Sequence, residues 1–138
     1  MKAYAKNSPE AMSRILAMMM IADASFDERE IEIMDKLRIY EILGISRSGF
    51  SQVVEDYCTD LIDSDAEDGR IRLLDKDRIN AVVDLVDDHE QRVRTCEMIL
   101  NIANADGRFD DAELTIFKYV LDRWGMTLES LKKDLGQR

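Results

Sequence analysis

Apolar residues recur along this chain at intervals of three and four, and no segment keeps the two-residue alternation of a half-buried strand. The pattern predicts an all-α fold. Its clearest stretch sets Phe50, Val53, Val54, Tyr57, Cys58, Leu61 and Ile62 on one helical face, with Ser46 as the cap. Before it, Ser8-Pro9-Glu10 reads as an N-cap, a first-turn proline and an acidic second position, opening a first helix that continues to about Asp23. From Ile15 to Ala22 that helix is apolar on every face, as befits one surrounded by others. A second helix starts at Asp27 or Glu28, places Ile31, Met34 and Leu37 on one face beside Ile33 and Tyr40, and ends near Gly44.

The stretch Asp63 to Asp75 is acidic, contains Gly69 and loses periodicity, which predicts a long connection between two halves. A fourth helix then runs from Asp75 to about Val86 with Ile79, Val82, Val83 and Val86 inward. Asp88 and Gln91 form a capping-box pattern for a fifth, His89 to about Ala105, carrying Val93, Cys96, Ile99, Leu100, Ile102 and Ala103. A sixth sets Leu114, Phe117, Leu121 and Trp124 on one stripe and stops at Gly125; Thr127 caps a short seventh through Leu131 and Leu135. The 138 residues fit one domain, 1–138, with half-repeats at about 10–62 and 75–135.

Charge narrows the partners. With 29 acidic against 19 basic side chains and a net charge of −10, the chain lacks the clustered Lys and Arg of a phosphate-tracking surface, so nucleic acid is not an expected partner. A cation or a basic segment of another protein suits it better, while a solvated acidic surface needs no partner at all. Cys58 and Cys96 fall inside apolar helical runs and read as free, buried thiols of a reducing compartment. No apolar run is long enough to span a bilayer, and MKAYAKNSPE has no apolar leader core, so a soluble cytoplasmic protein is expected.

One nine-residue pattern occurs twice: Ala22-Asp23-Ala24-Ser25-Phe26-Asp27-Glu28-Arg29-Glu30 and Ala105-Asp106-Gly107-Arg108-Phe109-Asp110-Asp111-Ala112-Glu113. Superposing Phe26 on Phe109 also sets Ile31 on Leu114, Met34 on Phe117 and Leu37 on Val120, so the likeness extends into the following helix. Helix entry accounts for much of it. Asp27 with Glu30, and Asp110 with Glu113, have N-cap and N3 spacing, and Phe26 with Ile31, and Phe109 with Leu114, have the spacing of a hydrophobic staple. Asp23 and Asp106 are left over, each at the carboxy-terminal end of a helix, where the macrodipole disfavours a carboxylate by about 0.3–1 kcal/mol.

Each copy also matches the back half of a calcium loop, with Asp, Gly or Ala, an apolar residue and Glu at positions 5, 6, 8 and 12. Positions 1 and 3 would be Met19 and Ile21, or Ile102 and Asn104, so neither copy forms an EF-hand by itself. Two half-loops packed together could offer Asp23, Glu30, Asp106 and Glu113 to a hard cation that wants about six to eight oxygens. Caps and turns sufficing, and a shared ion, are both open readings of these residues.

Two copies of A-D-[GA]-x-F-D-x-x-E about 80 residues apart in an acidic helical chain resemble the TerB-like tellurite-resistance family, over about residues 10 to 135. The resemblance implies a compact helical bundle of two pseudo-symmetric halves, to which the seven helices read above would belong, and paired Asp and Glu residues that bind metal cations; with the half-loop chemistry, a divalent cation of calcium or magnesium type is expected. Matched by motif, those residues are Asp23, Glu30, Asp106 and Glu113. The first copy departs from the pattern at Ala24, where the second has Gly107. The family is associated with tellurite and other stress resistance, and related domains occur as modules, one of them in a membrane-anchored DnaJ-type co-chaperone.

Catalysis finds little footing in the chain. His89 is the single histidine, seven residues before Cys96, and the Glu-x-x-His di-iron signature, zinc spacing and glycine-rich phosphate loops are all missing. Three consecutive methionines, Met18-Met19-Met20, point in three directions on a helix and read as core. Asp63, Asp65, Glu67 and Asp68 miss calcium-loop spacing and read as a solvated loop. The expectation is therefore a non-enzymatic stress-response domain with an unidentified protein partner and a cation site at its turns. The alternative is a helical interaction module whose acidic turns are structural.

Overall fold

The computed structural model describes residues 3–21, 28–65, 76–107 and 111–136, without the side chains of 28, 29, 63–65 and 106. Among them are eight helices and no strand: α1 (Pro9–Ile21), α2 (Glu28–Lys36), α3 (Ile39–Leu43), α4 (Arg47–Asp65), α5 (Lys76–Val83), α6 (His89–Asp106), α7 (Asp111–Arg123) and α8 (Leu128–Gly136). None is long and apolar enough to cross a membrane. The connection predicted over Asp63–Asp75 is helical to Asp65, and the rest of it lies outside the described residues.

α1 is the hub, packing against α3, α4, α5, α6 and α7, and every residue from Ala11 to Met20 is buried. Its start is as predicted: the Ala11 N–H donates to Ser8 Oγ at 3.1 Å, with Pro9 in the first turn. Two polar residues share the hub. Ser13 returns its hydroxyl to the Pro9 carbonyl at 2.7 Å, and the Arg14 guanidinium carbon lies 4.5 Å from the Tyr4 ring centroid. Burial lowers the Arg14 pKa, while Tyr4, Asp60 and Tyr57 act in the opposite direction.

Two further predicted caps, Ser46 and Thr127, fall on their residues. Gly49 N–H donates to Ser46 Oγ at 3.0 Å to open α4. Thr127 and Ser130 exchange backbone and hydroxyl groups at 2.9 and 3.0 Å to open α8. α7 ends at Gly125, whose φ of 69° suits a glycine, and Met126 N–H closes back on Leu121 O at 2.8 Å. A polar seam ties α7 to α5: Tyr119 donates to Asn80, Trp124 Nε1 donates to Val83 O, and Arg123 holds both oxygens of Asp84.

Two expectations need correction. The helix predicted from Asp27 or Glu28 to near Gly44 is two helices, so the described residues hold eight helices rather than seven. Arg38 adopts the left-handed conformation, φ 55° and ψ 38°, between them. The reason is phase. A continuous helix with Ile33, Met34 and Leu37 inward would next turn in positions 40, 41 and 44, including the charged Glu41; the break instead delivers Ile39 and Leu43, 1% and 3% exposed, to the core. The second correction concerns Ile62, which is 58% exposed although its spacing places it on the core face of α4. It sits on the last turn of that helix.

Candidate cation site at the acidic turns

Both acidic turns follow helices that lie against each other. At their amino-terminal ends, α1 and α6 are joined through Asn7, the residue before the Ser8 cap. Its side-chain oxygen accepts from the N–H groups of Asp87 and Asp88 at 3.0 and 3.1 Å, and Asp88 is the N-cap of α6. Towards their other ends, Leu16, Met19 and Met20 of α1 and Ile99, Ile102 and Ala103 of α6 line one cavity of about 20 Å³. The two helices therefore run side by side in the same direction, and both turns leave from the same end of the pair.

The second turn opens at the carboxy-terminal end of α6. α6 closes at Asp106, and Gly107 at φ 74° donates its N–H to the carbonyls of Ala103 and Asn104. That left-handed residue is the usual way to end a helix. The backbone of Asp106 thus sits where the macrodipole is least favourable to a carboxylate, as the sequence predicts. After the turn, α7 begins with an exposed Asp111, and Glu113 is half-buried and is, among the described residues, the one charged group lining the cavity. A cavity of that size admits one water-sized guest.

At the first turn, Glu30 occupies the corresponding place in α2, half-buried, with its Oε2 atom closed off from solvent. Glu30 and Glu113 each have an interaction partner. Their helices pack crosswise: α2 against α6, and α7 against α1. Asp23, the predicted caps Asp27 and Asp110, and the predicted staple residues Phe26 and Phe109 lie outside the described residues, as does the side chain of Asp106. Of the four predicted ligands, the described residues thus place two, and among them there is no group of three or more acidic, histidine or cysteine side chains that could hold a metal ion.

Elsewhere the sequence reading is partly revised. Asp88 accepts from the Gln91 N–H at 3.1 Å, which is half of the expected capping box. The reverse bond is not made, because Asn7 already satisfies the Asp88 N–H, and Gln91 Oε1 is buried without a hydrogen-bond partner among the described residues. His89 pairs with Asp134 of α8 at 3.1 Å. Cys96 is fully buried, which pushes its thiol up to about 12, and burial also raises that of Cys58; both are free. Neither is poised as a thiolate.

One residue that the periodicity passed over carries much of this geometry. Asn7 is visible in the sequence only as a polar residue ahead of a capped helix. Neither spacing nor residue type says what it meets across 80 residues of chain, at Asp87. No family model, no curated protein and no solved structure matches this chain.

Proposed function

We propose that this is a non-enzymatic, TerB-like stress-response domain in which the two acidic turns share a divalent cation of calcium or magnesium type. The observation that carries the reading is the parallel run of α1 and α6, from whose common end both turns leave. Crosswise packing of α2 on α6 and of α7 on α1 supports it too, since a duplicated hairpin pair would pack that way. Glu30 and Glu113 by themselves offer too few oxygens for such an ion, so the site requires Asp23 and Asp106 from the intervening turns. The ion would offset the cost of a carboxylate at each helix end.

The alternative, a groove that receives a basic partner segment, draws less support from the surface. The open groove of about 410 Å³ where α2, α3 and α4 meet presents Arg38 and Arg47 alongside Asp35 and Glu41, with no acidic bias. Thermal melts with calcium, magnesium, manganese or zinc test the cation reading. A cation at ten times its Kd stabilises the folded state by about 1.4 kcal/mol. The expected result is a raised midpoint with at least one of the four, lost in Asp106→Asn and in Asp23→Asn but kept in Asp110→Asn, because Asn caps about as well as Asp. No shift with any of the four, or equal loss in Asp110→Asn, would sink it.

A further inference from the structure

We infer that Asn7 is a positioning residue: it fixes the register of α1 against α6 at their starts and thereby sets the spacing of the two acidic turns at their ends. One side chain and its own backbone make four hydrogen bonds across the junction. Asn7 N–H donates to Leu85 O at 2.8 Å, Nδ2 donates to Asp87 Oδ1 at 2.7 Å, and Oδ1 accepts from the N–H groups of Asp87 and Asp88. The residue type follows from the backbone. Asn7 has φ 59°, a left-handed conformation that asparagine tolerates better than most residues, and an amide both donates and accepts. Lys6 adds its ammonium at 3.6 Å from Asp87 Oδ2.

A helix rises about 1.5 Å per residue and is stiff over its length, so a one-residue slip at Asn7 displaces the turn beyond Ile21 by about 1.5 Å. Metal coordination tolerates about 0.2 Å. A clasp at one end of the α1–α6 pair therefore decides whether carboxylates at the other end can meet on one ion. This use of the clasp rests on the proposed cation site; the spacing of the turns does not.

The experiment has an arm for each. Asn7→Gly keeps the positive φ accessible and removes the side chain. Asn7→Asp combined with Asp87→Asn restores the junction with donor and acceptor exchanged, since a carboxylate at 7 accepts both N–H groups and an amide at 87 donates to it. In the first arm, spin labels at Glu32→Cys and Lys118→Cys, exposed sites on α2 and α7, report the distance between the two exit helices without any cation, in a Cys58→Ser background. Asn7→Gly should shift or broaden that distribution and the double variant should restore it. In the second arm, calorimetric titration with manganese, at a temperature where circular dichroism shows every variant folded, should give about tenfold weaker binding in Asn7→Gly and recovery in the double variant.

A role confined to stability would lower the melting point and move neither readout. An unchanged distance distribution in Asn7→Gly overturns the inference, and so does a changed distribution with unchanged manganese affinity. If the wild-type chain takes up no manganese, calcium, magnesium or zinc, it is the cation reading that fails, while the distance arm still decides whether Asn7 sets the spacing of the turns.

Discussion

The helix that leaves the first acidic turn, α2, stops at Lys36, whereas α7, which leaves the second, continues unbroken to Arg123. With Phe26 set over Phe109, Met34 corresponds to Phe117 and both are buried, at 0% and 1% exposure. Leu37 then matches Val120, and the match ends one residue later, where Arg38 stands against the buried Leu121. An apolar residue there lets α7 keep its stripe for another turn and reach Trp124, which the seam to α5 fixes. A charged one forces α2 out of phase, and the chain resumes as α3. The repeat thus governs the first two turns of each exit helix, and the neighbours of each govern the rest.

If the two helices are equivalent over those turns, truncating either matched core residue should cost a similar and large amount. Phe117→Ala is expected to destabilise by about 3–5 kcal/mol and Met34→Ala by about 2–5 kcal/mol, the range for large core side chains replaced by alanine. Urea unfolding followed by far-ultraviolet circular dichroism measures both. A cost below about 1 kcal/mol for Met34→Ala, with Phe117→Ala in its range, would mean that α2 is only loosely docked and that the equivalence is one of sequence alone.

The same contrast marks how far the fold could be read from the chain. Caps at Ser8, Ser46, Asp88 and Thr127, the stop at Gly125 and the buried stripe of α7 were all legible, because each depends on residues within one helical turn of one another. The break at Arg38 was not, since an arginine carries no turn signature and only the core's demand for Ile39 and Leu43 puts it there. The candidate site was legible as a repeat of residue types, including the backbone placement of Asp106 at a helix end. What spacing could not supply is which ends of which helices come together, because that depends on Asn7 meeting residues 80 and 81 positions away.

Arg38 itself offers a milder way to sharpen the comparison. A non-glycine residue in the left-handed region costs about 1–2 kcal/mol, and glycine would relieve this while giving back about 0.5–1 kcal/mol in unfolded-chain entropy. Arg38→Gly is therefore expected to raise stability by up to about 1.5 kcal/mol, with α2 and α3 unchanged, as read from the urea midpoint at constant slope. Destabilisation would show instead that the Arg38 side chain holds the break in place, and that phase is not its cause.

The smallest effect belongs to the far end of α7, where Arg123 grips Asp84 with two hydrogen bonds of 3.1 and 2.8 Å. The bond from Arg123 holds the Asp84 carboxyl below its ordinary range; burial opposes this, and the charges of Arg123 and Arg92 add to it. Because the folded-state pKa is the lower one, the stabilisation is complete above the ordinary carboxylate range and is lost as pH falls through the folded value. Wild type should thus exceed Asp84→Asn in midpoint near neutrality, with the gap closing as pH falls below the ordinary carboxylate range and narrowing in high salt, since both groups face solvent. Hydrogen exchange at the Trp124 N–H, bonded to Val120 O at 3.0 Å, should quicken in Asp84→Asn at neutral pH and not at low pH. An equal effect at both would assign the continuity of α7 to its apolar stripe and to the Trp124 bond to Val83, with the ion pair adding nothing to the difference between the two exit helices.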